Sequence, residues 1–203
     1  MLSEYYDILL DGFYDTDNQD EERILNKMLD AIEKTLFYSK QNISYDINHL
    51  YVKNILAKAT ILMRSNRGTV RKIDKLITNA KKIIIENTKE YADVRLQYYL
   101  VCAWYYALVQ DDKDMAEVFI EDALELSNVI IPTDLQKIED VIIPCANIYF
   151  ELCCYNQAMT LLYKGTRLCF KHINTDSYAF IRQQLYNHFF QVGIEAQRKR
   201  QII

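Results

Sequence analysis

The chain has 203 residues, a net charge of −4 at neutral pH and 50% apolar residues, which is enough for one domain with a substantial core. Four glycines and two prolines are too few for a sheet protein with many tight turns, so the composition favours long helices. The acidic balance argues against direct binding of nucleic acid by this chain.

The first 45 residues are predicted to form an irregular first unit. A helix is expected over Ser3–Tyr14, followed by an acidic loop at residues 15–22 in which Asp or Asn caps the next helix. No basic residue precedes Arg23, unlike a signal peptide. The longest nearly apolar stretch, Tyr98–Val109, is too short for the roughly 20 residues that cross a membrane. We therefore expect a soluble, cytoplasmic protein that does not bind membranes.

Four similar segments recur along the chain. They begin at residues 31, 73, 116 and 158, so the steps are 42, 43 and 42. Within each segment apolar residues return at intervals of three and four, the period of an amphipathic helix. Seven positions into the last three segments stand the small residues Ala80, Ala123 and Gly165, which let a neighbouring helix approach closely. The first segment has Tyr38 there.

A second helical stretch precedes each of the last three segments: Asp46–Arg64, Glu90–Gln110 and Thr133–Cys154. The predicted unit is therefore a pair of antiparallel helices. One pair cannot bury its apolar face alone, so the pairs are expected to stack. The repeats span residues 46–172, and a capping helix is predicted within 175–197. The expectation is a single all-α domain of about four helix pairs plus the cap, with nine helices.

The stretch Thr133–Cys154 contains a local conflict. Thr133 and Gln136 have the spacing of a capping box and mark the start of a helix. Pro144 then falls inside it, where it removes a backbone hydrogen bond and clashes with the preceding turn. Either the helix is kinked there or a new helix starts with Pro144 in its first turn. We expect a kink.

The segments QDDKDMAEVFIEDALEL and CYNQAMTLLYKGTRLC resemble the turn and second helix of tetratricopeptide repeats. That family places a small, a bulky and a small residue at fixed spacing in the second helix. The matching sets are Ala116, Ile120, Ala123 and Ala158, Leu162, Gly165. The period departs from the family's usual length of about 34 residues. The resemblance implies a right-handed superhelix with a concave groove.

Longer units of this kind are similar to the peptide-sensing domains of Gram-positive transcription regulators of the Rgg and PlcR type. The resemblance implies a role in transcription regulation, with a short peptide held in the concave groove by Asn side chains. In those regulators a DNA-binding helix-turn-helix precedes the sensing domain. The first 45 residues of this chain show no such pattern. This sequence is then either the sensing part of a larger protein or a relative that does not bind DNA.

The resemblance also selects candidate peptide-binding residues on the leading helices. They are Lys58, Tyr98, Tyr105, Asn147, Phe150, Glu151, Arg182 and Phe189. Asn147 is the first choice because an amide can donate to and accept from an extended peptide backbone. Arg182 is suited to a bidentate contact with a carboxylate. The alternative, equally favoured, is that Tyr105, Phe150 and Phe189 fill the inside of a tight superhelix.

Nothing in the sequence predicts catalysis, a cofactor or a metal. His49, His172 and His188 lie in different helices without metal-ligand spacing. There is no glycine-rich phosphate loop or nucleophile elbow. The cysteines have no C-x-x-C spacing and are predicted to be buried, reduced thiols. They are Cys102, Cys145, Cys153, Cys154 and Cys169.

Two blocks of opposite charge are present. Residues 64–82 hold seven basic residues and one acidic residue, and residues 111–125 hold seven acidic residues and one basic residue. They are interpreted first as solvated helix faces, with steering of a partner or pairing between two copies as alternatives. The sequence thus predicts a non-catalytic module that binds a peptide or protein. The alternative is an adaptor or homo-oligomeric scaffold, including a homodimer, that uses its outer faces.

Overall fold

The computed structural model describes residues 45–64, 69–86, 92–131, 133–171 and 177–200, together with Lys27, Asp30 and Lys34. The described residues are helical or lie in short turns, and none of them is in a strand, so the all-α prediction is confirmed for this part of the chain. The helices are α1 Tyr45–Arg64, α2 Val70–Glu86, α3 Ala92–Tyr105, α4 Lys113–Ile130, α5 Asp134–Lys137, α6 Ile143–Glu151, α7 Tyr155–Phe170 and α8 Ser177–Arg200.

The similar segments that begin at residues 73, 116 and 158 lie in α2, α4 and α7, which are the second helices of the predicted pairs. The predicted capping helix is present as α8. The leading helices are α1, then α3 with a π-helical stretch at Tyr106–Gln110, then α5 and α6 joined by a π-helical stretch at Ile138–Ile142. The predictions for the first unit, including the helix at residues 3–14 and the acidic loop, lie outside the described residues.

Side-chain caps mark the starts of α2, α4 and α5. The Thr133 Oγ1 accepts a hydrogen bond from the Gln136 backbone N–H at 3.2 Å, which confirms the predicted start of α5. Asp112 caps α4 through the Met115 N–H at 3.1 Å, and Thr69 Oγ1 accepts from the Lys72 N–H at 3.3 Å. Each contact satisfies a backbone donor that the helix itself leaves unpaired.

The chain divides into two compact units, residues 1–94 and 95–203. In the first unit α1 packs against α2. Their contact is apolar because Val52, Leu56 and Ala59 of α1 are fully buried, as is Ala80 of α2. The positions of α2 that are not buried carry its lysines, which explains the amphipathic pattern seen in the sequence.

In the second unit α7 packs between α6 and α8. Gly165 of α7 is buried, and a Cβ built on it would lie 3.2 Å from both Ile142 Cγ2 and Leu185 Cδ2. Ala123 of α4 is also fully buried. The predicted role of the small residues is therefore confirmed at Gly165 by the neighbouring side chains themselves.

Pro144 lies in the first turn of α6, directly after the π-helical stretch Ile138–Ile142. Proline cannot donate to the carbonyl four residues earlier and its ring clashes with that carbonyl. The π-helical stretch widens the helix at this point, and the Ile143 N–H reaches back to the Ile138 carbonyl. Pro144 thus stands in the first turn of a helix, as in the alternative to a kink, and a π-helical stretch precedes it.

Among the described residues, no helix combines the length and the apolar character that a membrane crossing requires.

Candidate functional site

The eight predicted peptide-binding residues differ in exposure. Lys58, Tyr98 and Tyr105 are buried, with 8%, 7% and 5% of their surfaces exposed. The remaining five are half-buried, except for the exposed Glu151: Asn147, Phe150, Glu151, Arg182 and Phe189. Lys58 belongs to the first unit and the other seven to the second. Three of the eight therefore offer little surface to a ligand.

Tyr98 belongs to an aromatic cluster between α3 and α4. The rings of Tyr98 and Tyr99 lie 6.4 and 6.2 Å from that of Phe119, and Tyr106 stacks on Phe119 at 5.5 Å. Offset and edge arrangements of this kind add to the apolar burial of the rings. Burial raises the pKa of Tyr98 well above its ordinary value, so its hydroxyl stays protonated. Tyr98 is therefore part of a helix seam.

Tyr105 is similarly engaged within the second unit. Its ring lies 5.3 Å from that of Tyr106 in an edge-to-face arrangement. Its hydroxyl accepts a hydrogen bond from Gln110 Nε2 at 2.5 Å. These contacts support the alternative in which Tyr105 fills the interior and does not form a platform for a peptide.

Two of the predicted residues on α6, Phe150 and Asn147, have different surroundings. The Phe150 ring lies 5.8 Å from the Tyr155 ring and packs against the hydrophobic core. The half-buried Asn147 side chain has no hydrogen bond with any described residue. Its amide can therefore both donate and accept, as the prediction for Asn147 requires.

The two predicted residues on α8 are both half-buried. Phe189 packs against the hydrophobic core of the second unit. The Arg182 side chain already interacts within the chain. Phe189 therefore contributes to the attachment of α8, whose buried stripe is formed by Tyr178, Ile181, Leu185 and Val192.

The opposite side of α8 carries three exposed aromatic residues. Phe180, Tyr186 and Phe190 have 67%, 50% and 70% of their surfaces exposed. The exposed amides of Gln183 and Asn187 lie on the same side and are joined by a hydrogen bond of 3.1 Å. We call these five residues the aromatic face. It combines apolar area with amide donors and acceptors, as protein-binding surfaces do.

Sequence reasoning missed the aromatic face because α8 was predicted as a capping helix whose binding residues are Arg182 and Phe189, both outside the aromatic face. The signal was present in the sequence. One stripe of α8, from Tyr178 to Val192, is sufficient to cover α7, yet Phe180, Tyr186 and Phe190 stand outside it. A helix that is apolar on two sides predicts a second contact surface.

The prediction of five buried thiols is wrong for Cys153. Cys102, Cys145, Cys154 and Cys169 are buried, but Cys153 is exposed. The predicted helix Thr133–Cys154 ends at Glu151, so Cys153 lies in the turn before α7, where no helix face covers it. All five cysteines are free thiols.

The described residues contain no group of three or more His, Cys, Asp or Glu side chains arranged to hold a metal ion. Compared with known protein families, characterised proteins and solved structures, the chain matches none.

Proposed function

We propose that this chain is a non-catalytic polypeptide-binding module in which tetratricopeptide-like helix pairs stack as a right-handed superhelix. Two features of the second unit support the pair as the repeating unit. The small residues Ala123 and Gly165 are buried at equivalent positions of α4 and α7. Asp111 and Cys153 have positive φ at equivalent positions of the turns before those helices. Equal packing and equal turns are what a repeated supersecondary unit requires.

The aromatic face of α8 is the observation that carries the proposed function. Isolated exposed apolar residues are common, but several large aromatic side chains on one helix face are typical of a contact surface. Between Tyr178 and Ile194 the only charged residue is Arg182, and it lies outside the aromatic face. A partner would therefore contact apolar rings and amides at this surface, and no charged side chain of the aromatic face.

An amphipathic α-helix of a partner protein fits this surface best. In the repeat order α8 takes the place of the first helix of a pair. The first helix of the preceding pair packs against its second helix, as α6 packs against α7. A partner helix on α8 would occupy the corresponding place. Tyr186 and Phe190 are four residues apart and form a ridge of the kind that helices pack into grooves. Such a helix would present apolar side chains at the same spacing.

Thermal unfolding in the presence of two peptide sets tests the proposal. One set consists of amphipathic helical peptides and the other of extended peptides of similar length. We expect helical peptides to raise the unfolding temperature of the wild type through preferential binding to the folded state. The double variant Tyr186→Ser, Phe190→Ser should abolish the increase.

A matched control removes exposed aromatic residues from another helix of the same unit. Tyr163→Ser, Phe170→Ser on α7 deletes side chains that are 59% and 51% exposed. This variant should keep the response to helical peptides. Equal loss in both double variants, or no stabilisation by either peptide set, would contradict the proposed use of the aromatic face.

Two further measurements distinguish binding at the aromatic face from binding in the predicted groove and from self-association. Stabilisation by extended peptides that is lost in Asn147→Ala would place the binding site at the predicted groove instead. A concentration-dependent dimer in sedimentation velocity, lost in the α8 double variant, would make a second copy of the chain the occupant.

A further inference from the structure

Two thiols, two ammonium groups and a phenol line one cavity in the second unit. The cavity has a volume of about 370 Å³ and lies at the turn between α6 and α7. Cys153, Cys154 and Tyr155 come from the turn and the start of α7, while Lys113 comes from the start of α4 and Lys199 from the end of α8. The elements that meet here are far apart in sequence, so the cluster is a product of the tertiary fold.

The exposed thiol of Cys153 is in contact with a cation. Lys199 Nζ lies 2.7 Å from Cys153 Sγ and 5.6 Å from the centre of the Tyr155 ring. The alternative hydrogen bond of the thiol, to the Glu151 carbonyl, is much longer at 3.8 Å. An ammonium group beside the sulfur favours a thiolate that accepts its hydrogen bond.

The electrostatic surroundings act in the same direction. Hydrogen bonds from Lys199 and then Tyr155 lower the pKa of Cys153, against the opposing effects of burial and Glu151. The contact with Cys153 correspondingly raises the pKa of Lys199. Among the salt bridges of the described residues, none uses Lys199, whereas its neighbour Arg198 is paired with Glu195 at 2.6 Å. The Lys199 charge is thus directed at the thiol.

The second thiol has a different environment. Cys154 is buried and donates to the Leu152 carbonyl at 3.4 Å. The hydrogen bond to Cys154 raises the pKa of Lys113, which keeps this second ammonium group charged at the cavity. Of the two neighbouring cysteines, Cys153 is therefore the one that a ligand can reach.

The remaining lining of the cavity suits an acidic ligand. Asn156 and Gln157 add amide donors beside the Lys113 and Lys199 ammonium groups. Besides its hydrogen bond with Cys154, Lys113 has only a loose contact of 3.8 Å with Glu117, so a carboxylate can still bind its ammonium group. A small molecule that carries carboxylates and a reactive sulfur would match both parts of the site.

We propose that Cys153 is a modification site that forms a mixed disulfide with small acidic disulfides, which the lysines and amides of the cavity orient. The Cys153 thiolate attacks one sulfur of the disulfide, a new S–S bond forms, and the old S–S bond breaks. Two electrons pass to the departing sulfur, which leaves as a thiolate and takes up a proton from water. The disulfide itself is the oxidant.

The test uses the full reduced chain and two disulfides of opposite charge, oxidised glutathione and cystamine. Adduct formation near neutral pH is followed by intact mass, and the modified residue is located by peptide mapping. We expect one adduct per chain, at Cys153, and faster reaction with oxidised glutathione than with cystamine. Cys153→Ser should form no adduct.

Lysine variants separate the cavity from simple exposure of a thiol. Lys199→Met should slow the reaction with oxidised glutathione about tenfold, because the thiolate fraction falls, and Lys199→Arg should restore part of the rate. Lys113→Met should reduce the preference for oxidised glutathione over cystamine. Lys171→Met, which removes an exposed lysine outside the cavity lining, is the matched control and should react like the wild type.

Three results would overturn the proposal. The first is modification at another cysteine before Cys153. The second is an equal rate in Lys199→Met and the wild type, with unchanged helical circular dichroism in both. The third is faster reaction with cystamine than with oxidised glutathione, which would exclude an acidic ligand even if Cys153 is reactive.

Discussion

Asp111 and Cys153 stand at the same point of two successive helix-to-helix turns, and both have a positive φ, of 53° and 58°. The next residues, Asp112 and Cys154, are the N-caps of α4 and α7. In the sequence of the preceding repeat the same place holds Gly68. Glycine adopts this left-handed conformation freely and Asp tolerates it, whereas Cys pays a larger steric penalty. The turn geometry is therefore repeated although the residues differ.

Replacing Cys153 with glycine is expected to stabilise the fold. The left-handed conformation costs an L-residue roughly 1–2 kcal/mol, and the greater freedom of glycine in the unfolded chain offsets part of the gain. We expect Cys153→Gly to raise the free energy of unfolding by about 0.5–1 kcal/mol, measured by urea denaturation. Asp111→Gly should change it less, because Asp tolerates this conformation. A lower urea midpoint for Cys153→Gly would contradict the argument.

Two helical glycines should respond oppositely to substitution by alanine. In Gly165→Ala the new Cβ would lie 3.2 Å from side-chain atoms of both Ile142 and Leu185, and we expect a loss of about 1–2 kcal/mol. In Gly193→Ala the Cβ meets no atom within 4 Å, and the higher helix propensity of alanine should add up to about 1 kcal/mol. Thermal and urea unfolding of both variants provide the comparison, and a gain at Gly165 would show that its neighbours move aside easily.

The Thr133 cap of α5 should contribute more to the free energy of unfolding than a hydroxyl hydrogen bond inside a helix does. Thr133→Ala removes the acceptor of the Gln136 N–H and should lower the free energy of unfolding by about 1 kcal/mol. Thr160→Ala, which removes a hydroxyl bonded to the Asn156 carbonyl inside α7, should change it by only a few tenths of a kcal/mol. Equal effects in urea denaturation would mean that Thr133 does not act as a cap.

An ion cluster in the first unit should make stability depend on acid pH. The Asp93 carboxylate accepts hydrogen bonds from His49 Nε2 at 3.0 Å and contacts Lys53 Nζ at 2.9 Å. Burial alone would raise the pKa of Asp93, but the bonds from Lys53 and His49 outweigh it and hold the pKa below its ordinary value. A lowered folded-state pKa stabilises the protein above the unfolded-state pKa, and this contribution is lost as the pH falls through the folded-state value.

Asp93→Asn is therefore expected to reduce the free energy of unfolding at neutral pH and to have no effect in strong acid. The loss should be under about 1 kcal/mol, because 54% of the Asp93 side chain is exposed and solvent screens the pair. Urea unfolding of the wild type and Asp93→Asn from pH 7 to below about 4 gives the profile. A difference that persists in strong acid would assign the effect to packing, and Lys53→Met in the same series tests the main partner.

The repeat register could be derived from the sequence because it depends on local patterns. Apolar spacing placed α2, α4 and α7, and the capping-box residue Thr133 marked the start of α5. The distortion near Pro144 could also be anticipated, because a missing N–H is a property of the residue itself. The form of that distortion, a π-helical stretch from Ile138 to Ile142, is seen only in the structure.

The candidate sites were less predictable, since exposure depends on what covers each face of a helix. Tyr98 was expected to meet a ligand and is buried against Phe119, while Phe190 was not considered and is 70% exposed. Both are aromatic residues in helices, and residue type alone does not separate them. Only the neighbouring helices decide which ring is covered.

The sequence by itself determined the helical class, the step of the repeat and the small residues at which helices approach, because backbone propensity and side-chain period act over a few residues. The tertiary structure decided the aromatic face of α8 and the contact between Cys153 and Lys199. Those two residues are 46 positions apart in the chain. Those features arise when packing brings distant segments together, and packing is a property of the whole set of helices.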